Sequence, residues 1–464
     1  MPPAPRFRAA PAPAAAMMPA MMPALVSALV SALLAALAAP LARAAAQPAA
    51  SPSPLIEESE QRALTVMPKV TAWRRDLHEH PELSGEEVRT AALVADHLRA
   101  LGIEVRTGVG GHGVVGVLRG GKPGPVVALR ADMDGLPVEE LVELPFKSRV
   151  KGSYRGAPVG VMHACGHDNH VAVLMGAAEV LAGMRARLPG TVKFVFQPAE
   201  EGLPNGGTGA VEMLKDGVLE NPRVDAIFGM HVGNGPLGRI TYRPGPSMAA
   251  SNGFTITIHG KQTHGAMPWG GTDPIVVASQ VVTGLQTIMS RQVDVSTVPG
   301  IITVGAFQGG VRGNIIPDSV VMLGTIRTFD QAIRDDVFRR VHRTAEQLAA
   351  ASGARAVVVI DSGNLVTRND SALTLRMAPT LRRAAGAAGA VVAPLWTASE
   401  DFSWYQERIP GLFFNLGVTP ADRDWRTQPA NHSPQFFADE GALPTGVRAM
   451  AAVAIDFLLQ AGRK

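Results

Sequence analysis

The sequence predicts an α/β fold: a catalytic domain on a mostly parallel sheet, interrupted by an inserted ferredoxin-like unit. Three observations predict it. Short apolar strands alternate with amphipathic helices in the first and last parts of the chain. The middle part instead reads β-α-β-β-α-β. The length of 464 residues, 46% apolar and 18% charged, exceeds what one compact core usually holds.

Helical patterns over residues 59–78 and 86–101 open the folded part, the second stopped by Gly102. Gly113–Arg119 and Pro125–Arg130 are expected as buried strands, His170–Met184 as a helix, and Thr191–Phe196 and Ala226–His231 as further strands. In the middle, Gly253–His259 alternates with strand period, Pro274–Arg291 is helical, and Gly300–Phe307 and Ser319–Thr328 are strands. Gln331–Ala351 sets Ile333, Val337, Val341, Ala345 and Leu348 on one helix face, and Ala354–Ile360 closes the unit. Ser371–Ala385 and Thr445–Leu459 are then helical, and Gly411–Leu416 returns to the main sheet. Loops at Arg243–Asn252 and Asp361–Asp370 bracket the insertion. Residues 59–248 and 363–464 are therefore assigned to the catalytic domain and residues 249–362 to the inserted one.

Arg6 and Arg8 precede an apolar run, Leu25–Leu41, that ends in Ala42-Arg-Ala-Ala-Ala46. Residues 1–46 are expected to be a cleaved export signal and residues 47–58, rich in Pro, Ser and Ala, a linker. The alternative is an uncleaved anchor helix. Export places the protein in the periplasm or outside the cell, free of the membrane after cleavage. No later stretch is expected to span a bilayer. Residues 1–46 hold three basic residues and no acid, so the rest carries 40 of each sign. That balance gives no reason to expect nucleic acid or an anionic membrane as partner.

Cys165 is the single cysteine and cannot form an intramolecular disulfide. It lies in Val161-Met-His-Ala-Cys-Gly-His-Asp-Asn-His170, the densest polar cluster of the chain. Cys165 and His167, two apart in a turn, can face one metal ion, and thiolate and imidazole suit zinc-like ions. Alone, the cluster reads more readily as a helix start capped by Asp168 or Asn169 with a structural cysteine. A second cluster, Gln197-Pro-Ala-Glu-Glu-Gly202, ends the strand Thr191–Phe196. Adjacent carboxylates there can divide their work, one binding a cation and the other moving protons. His231 ends another strand, and Asn431-His-Ser-Pro434 lies far along the chain.

These segments, with Leu77-His-Glu-His-Pro-Glu-Leu83, Leu129-Arg-Ala-Asp-Met-Asp-Gly-Leu-Pro137, Asn314-Ile-Ile-Pro-Asp318 and Ser399-Glu-Asp-Phe402, run in the order of a known family. Over about residues 60–460 the chain resembles the aminoacylase/carboxypeptidase-type co-catalytic metallopeptidases. Within them it resembles the amidohydrolase branch of hippurate and auxin-conjugate hydrolases. The resemblance implies Cys165, His167, Glu201, His231 and His432 as ligands of two divalent ions (Mn2+, Zn2+, Ni2+ or Co2+). It implies Glu200 as general base and then acid, and Asp134 as a support behind the ligands. Asp132 stands where related carboxypeptidases carry a metal-binding histidine, a loss that Cys165 makes good. The inserted unit corresponds to the family's lid and dimerisation domain. His264 matches a histidine that reaches the partner subunit's site to stabilise the oxyanion, and Asn314 is a candidate for binding the substrate carboxylate or the oxyanion. Trp269 departs from the branch, which often has histidine there.

The implied activity is hydrolysis of the amide bond of small N-acyl amino acids by a homodimer or homotetramer. The alternatives are a dipeptidase or carboxypeptidase with the same site, a binding protein that keeps the fold without catalysis, and a thiol enzyme using Cys165. The presence of every implied ligand and of the base argues against the binding protein.

Overall fold

The computed structural model describes residues 53–461 apart from Thr297, so the expected signal at residues 1–46 lies outside the described residues. Helix α1 (Pro54–Glu79) begins inside the stretch expected to be linker as far as residue 58. The reason is local. Ser53 Oγ accepts the Leu55 N–H at 3.3 Å, Pro54 occupies the first turn, and Glu57 faces the positive helix end. Helix α2 (Val88–Ala100) then leads into strands β1 (Glu104–Val109), β2 (Gly113–Arg119) and β3 (Lys122–Asp132). Helix α3 (His167–Ala182) starts three residues earlier than expected, placing His167 in its first turn. Strands β4 (Pro189–Gln197), β5 (Ala226–Pro236) and β6 (Ile240–Tyr242) follow.

The inserted unit is β7 (Ala250–His259), α4 (Pro274–Thr287), β8 (Gly300–Gly309), β9 (Ser319–Thr328), α5 (Gln331–Ala351) and β10 (Arg355–Ile360). The chain then returns through α6 (Ser371–Ala385), β11 (Ala390–Val392), β12 (Gly411–Thr419) and α7 (Leu443–Ala461).

The large sheet runs β1-β2-β4-β3-β5-β12-β6-β11. Its central strands β4, β3, β5 and β12 are mutually parallel. Each is buried on both faces, and alternate residues feed two cores. Val127, Leu129, Phe194, Phe196, Phe228 and Phe414 enter the core under α1, α3 and α7. Their neighbours Ala128, Val195, Ile227 and Phe413 enter a smaller core on the opposite face. Helix α7 corrects one expectation. Residues 440–460 are long and apolar enough to cross a membrane, but 78% of the most apolar window is buried in the fold, so this apolarity builds core.

The small sheet runs β8-β9-β7-β10, all antiparallel, as a ferredoxin-like unit requires. Phe254, Ile256 and Ile258 of β7 face α4 and α5 in a core of their own. The other face leaves Ile301, Leu323, Val357 and Val359 exposed.

Candidate metal centre

Strands β3 and β4 deliver functional side chains at or just beyond their carboxyl ends, where parallel sheets place binding sites. Strand β5 instead runs five residues past His231, so this residue lies in mid-strand and not at the strand end expected from the sequence. β3 ends at Asp132, two residues before Asp134, and β5 carries His231. Beyond β4 the chain turns through Ala199 at φ +48°, a left-handed conformation that costs free energy. Three bonds hold it: the Ala199 N–H donates to Glu87 Oε1 at 2.8 Å, and the Ala199 carbonyl accepts the Gly209 N–H at 2.9 Å and the Gly202 N–H at 3.4 Å. That turn presents Glu200 and Glu201.

Cys165 and His167 flank Gly166, at φ +89°, where a Cβ would lie 2.4 Å from Val232. Only glycine lets the loop approach β5 this closely. The distant loop at His432 is stitched to the same place. The His432 N–H donates to the Ala164 carbonyl at 2.8 Å, and Asn431 Nδ2 donates to the Cys165 and Val232 carbonyls at 2.9 and 3.0 Å.

All the ligand residues expected from the sequence therefore meet. Cys165 Sγ lies 3.4 Å from His231 Nε2 and 3.2 Å from His432 Nε2, and His432 Nε2 lies 3.0 Å from Glu201 Oε1. The donor atoms of Cys165, His167 and His231 lie within 4.8 Å of one another, as do those of Cys165, Glu201 and His432, and those of His167, Glu200 and Glu201. Overlapping triads that share Cys165 offer two neighbouring cation positions. The donors are already oriented. His167 Nδ1 is bound by the Asp134 carboxylate at 3.1 Å and its carbonyl at 2.9 Å, and His231 Nδ1 donates to the Val232 carbonyl at 2.6 Å. Each thus turns Nε2 to the cluster. His167 Nε2 is buried without a hydrogen-bond partner, as a nitrogen awaiting a cation would be. This donor set fits a pair of divalent transition-metal ions.

The same environment opposes cation binding at low pH. Burial, then Glu201, Glu200 and Asp132, push the Cys165 thiol well above its ordinary range. Burial opposes charge on His167, but Asp132 and Asp134 outweigh it and raise the imidazole to about 10. Without metal both groups hold a proton at neutral pH, and an incoming ion must displace both. Metal affinity should therefore rise with pH. Calorimetric titration of the metal-free protein in buffers of different ionisation enthalpy should show proton release, and buffer-independent heats would refute it.

Asp134 sits behind the proposed ligands. Besides His167 it accepts the Glu200 N–H at 3.1 Å, the Glu201 N–H at 3.0 Å and the Ser84 hydroxyl at 2.6 Å, so it fixes both glutamates. Asp132 is committed elsewhere: its carboxylate binds Arg130 and His170, and lies 3.9 Å from His167 Nε2. The His170 ring in turn accepts the Val232 N–H through Nε2 at 2.8 Å. Sequence reasoning gave no role to Arg130, His170, Glu400 or Asp401. Arg130 Nη2 lies 2.9 Å from Glu400 and 2.7 Å from Asp401, and Glu400 in turn neighbours Glu200. The signal was available in the segments Leu129–Asp134 and Ser399–Phe402, but nothing in the sequence shows that they pair.

The cluster opens into a cavity of about 440 Å³ bordered by residues at the edge of the inserted unit. Arg327 of β9, Asn364, Met248 and Trp396 line it. Arg327 Nη1 is buried without a partner, and the loss of solvent lowers this guanidinium's pKa. No sequence signal marked Arg327, which sits at one ordinary position of an alternating strand. His264 and Asn314 are not brought to the metal cluster. They lie beside each other in a small ribbon, where the Gly265 N–H donates to the Asn314 carbonyl at 2.9 Å, and neither lines the cavity.

A family model described as peptidase family M20/M25/M40 matches residues 128–456. The N-acetyl-L-cysteine deacetylase of Bacillus subtilis (strain 168) is 42% identical over 396 residues, 84% of this chain and 88% of its own length. The IAA-amino acid hydrolase ILR1-like 2 of Arabidopsis thaliana is 37% identical over 427 residues, 89% of this chain and 92% of its own. A solved Bacillus subtilis structure described as a dinuclear metal-binding peptidase of the M20 family superposes with a TM-score of 0.71 at 36% identity, over 85% of this chain and 99% of its own.

Proposed function

The chain belongs to peptidase family M20/M25/M40 and is a metal-dependent amidohydrolase, and within that family we propose that it hydrolyses N-acyl amino acids to a carboxylic acid and an amino acid. The observation that carries this reading is one cavity holding three features: the oriented donor cluster, the carboxylate of Glu200 and the unpaired guanidinium of Arg327. When bound, the ions supply Lewis acidity to the carbonyl and to the attacking water. Glu200 takes the water's proton as the C–O bond forms. It returns a proton to the nitrogen as the C–N bond breaks. Burial, then Glu400, Glu201 and Asp401, hold the Glu200 carboxyl well above the usual carboxylate range in the metal-free protein, which suits a group that must keep a proton between the two steps. Arg327, with Asn364 beside it, receives the substrate's carboxylate.

The test is a panel of N-acyl amino acids, the corresponding N-acyl amines without a carboxylate, and dipeptides, assayed with metal-reconstituted protein. The acyl amino acids should be the best substrates. Arg327→Ala should raise KM for them by about 10–100-fold and leave the poor turnover of acyl amines where it was. Faster dipeptide cleavage would favour the peptidase alternative. An Arg327→Ala effect equal on both amide sets would remove the carboxylate assignment.

The placement of His264 and Asn314 supports a second copy as partner. In one chain they stand beside exposed Met267, Trp269 and Ile315, away from the metal cluster, while the inserted unit leaves an apolar sheet face uncovered. A dimer closed through that face would cover it and carry His264 toward the partner's cavity. Charging the face at Leu323→Glu and Val359→Glu should shift sedimentation to the monomer and cut turnover together. A monomeric wild type at assay concentration would sink this reading.

We propose export as well, from the expected signal at residues 1–46; secretion assays of the full chain test it.

A further inference from the structure

The cavity has an apolar wall that the proposed reaction has not yet used. Trp396 is 42% exposed, yet its backbone is fixed: its N–H donates to the Ser247 carbonyl at 3.0 Å, and the Ala249 N–H reaches the carbonyls of Trp396 at 3.1 Å and Ala398 at 2.9 Å. Met248 forms a bridge with Trp396 and borders the same cavity. Three residues along the same segment, Ser251 exchanges backbone bonds with Asn364 at 2.9 and 3.1 Å and stands opposite Arg327 in register. The segment 248–251 therefore carries a cationic, polar end and an aromatic, apolar end, about 10 Å apart at strand spacing. An indole held by its backbone and left open to a substrate cavity offers apolar area at little entropic cost.

We propose that Trp396, with Met248 and Ala398, receives the side chain of the amino-acid half of the substrate. The enzyme then prefers amides of large apolar amino acids to those of glycine or alanine. This rests on the proposed reaction and deepens it. In an N-acyl amino acid the carboxylate and the side chain diverge from one carbon. A carboxylate at Arg327 therefore leaves the side chain within reach of Trp396. The acyl substituent leaves the scissile carbonyl carbon in the opposite direction. Trp396 is thus a specificity-determining residue that takes no part in bond breaking.

The experiment compares kcat/KM for N-acetyl-phenylalanine, N-acetyl-alanine and N-benzoyl-alanine on metal-loaded wild type, Trp396→Ala and Trp396→Phe. Wild type should favour phenylalanine over alanine by roughly tenfold or more. Trp396→Ala should erase most of that ratio through KM, and Trp396→Phe should restore it. A phenylalanine/alanine ratio unchanged in Trp396→Ala overturns the proposal. So does a loss confined to the benzoyl/acetyl ratio, which would assign the indole to the acyl half. A wild type that hydrolyses acyl amino acids without preferring phenylalanine overturns the platform and leaves the reaction standing. A wild type that cleaves only dipeptides overturns the reaction, and the same ratio on Ala-Phe and Ala-Ala then decides the platform.

Discussion

Glu200→Gln should lower kcat by about a thousandfold or more while metal content per subunit stays near that of the wild type. The substitution keeps the shape of the side chain and removes its ability to take and return a proton. Glu200 is suited to that isolation. Only 8% of the residue is exposed, its backbone N–H is held by Asp134, and its Oε1 accepts the Asp401 N–H at 3.4 Å. Its neighbour Glu201 has an oxygen 3.0 Å from His432 Nε2, so two consecutive carboxylates beyond the strained Ala199 turn border one cluster with different partners. The measurement pairs single-turnover kinetics with metal analysis of the same sample. Unimpaired turnover would remove the base assignment. Loss of activity together with loss of metal would make Glu200 a ligand rather than a proton carrier. The corresponding Glu201→Gln variant should behave oppositely, losing metal affinity first.

Much of this architecture was legible in the sequence, and the reason is burial. β3, β4, β5 and β12 are apolar on both faces, so their runs stand out against any loop. Strand β1 went unread because it is largely exposed and only its two valines are apolar side chains of strand type, and β6 and β11 because each is three residues long. Within the inserted unit the alternation read over Gly253–His259 matches the burial of β7, with Phe254, Ile256 and Ile258 buried and the residues between them half-buried. The metal cluster was legible through its motifs, since ligand residue types recur at strand ends, yet each histidine alone was ambiguous. What resolves the ambiguity is contact between segments: Asn431 on the Cys165 and Val232 carbonyls, and His432 on Ala164. Such contacts leave no periodicity behind them. Arg327 and Trp396 were missed for the same reason, because a side chain reveals its purpose only when the cavity it borders is known. Sequence reasoning placed His264 and Asn314 in catalysis by resemblance. In a single chain the structure joins them to each other and not to the metal cluster.

Arg130 shows the other way a sequence can conceal a role. A charged residue inside the apolar strand Val126–Ala131 carries no local signal, but its side chain is wholly buried and faces Asp132, Glu400 and Asp401. Gln197 accepts from its Nε at 2.9 Å and also donates to Asp401 at 2.8 and 2.9 Å. One guanidinium thus ties the ends of β3 and β4 to the loop before β12, directly beneath Glu200. Arg130→Met should destabilise the fold by about 3–5 kcal/mol, because it strands buried carboxylates without a counter-charge. The pH dependence has a definite sign. Burial already raises Glu400 to about 8, with Arg130 the chief opposing influence, and Asp401 is raised by burial in the same way. Removing Arg130 raises these folded-state values further. A carboxyl whose folded pKa exceeds its unfolded pKa supplies stability that is lost as pH rises toward the folded value. The deficit of the variant should therefore widen from mildly acidic to mildly alkaline pH and narrow on acidification, when protonation removes the uncompensated charge. Urea unfolding of wild type and variant in metal-free buffer at several pH values measures it. A deficit that stays constant with pH, or grows toward acid, would show that Arg130 serves the fold by packing and not by neutralising the carboxylates under the site.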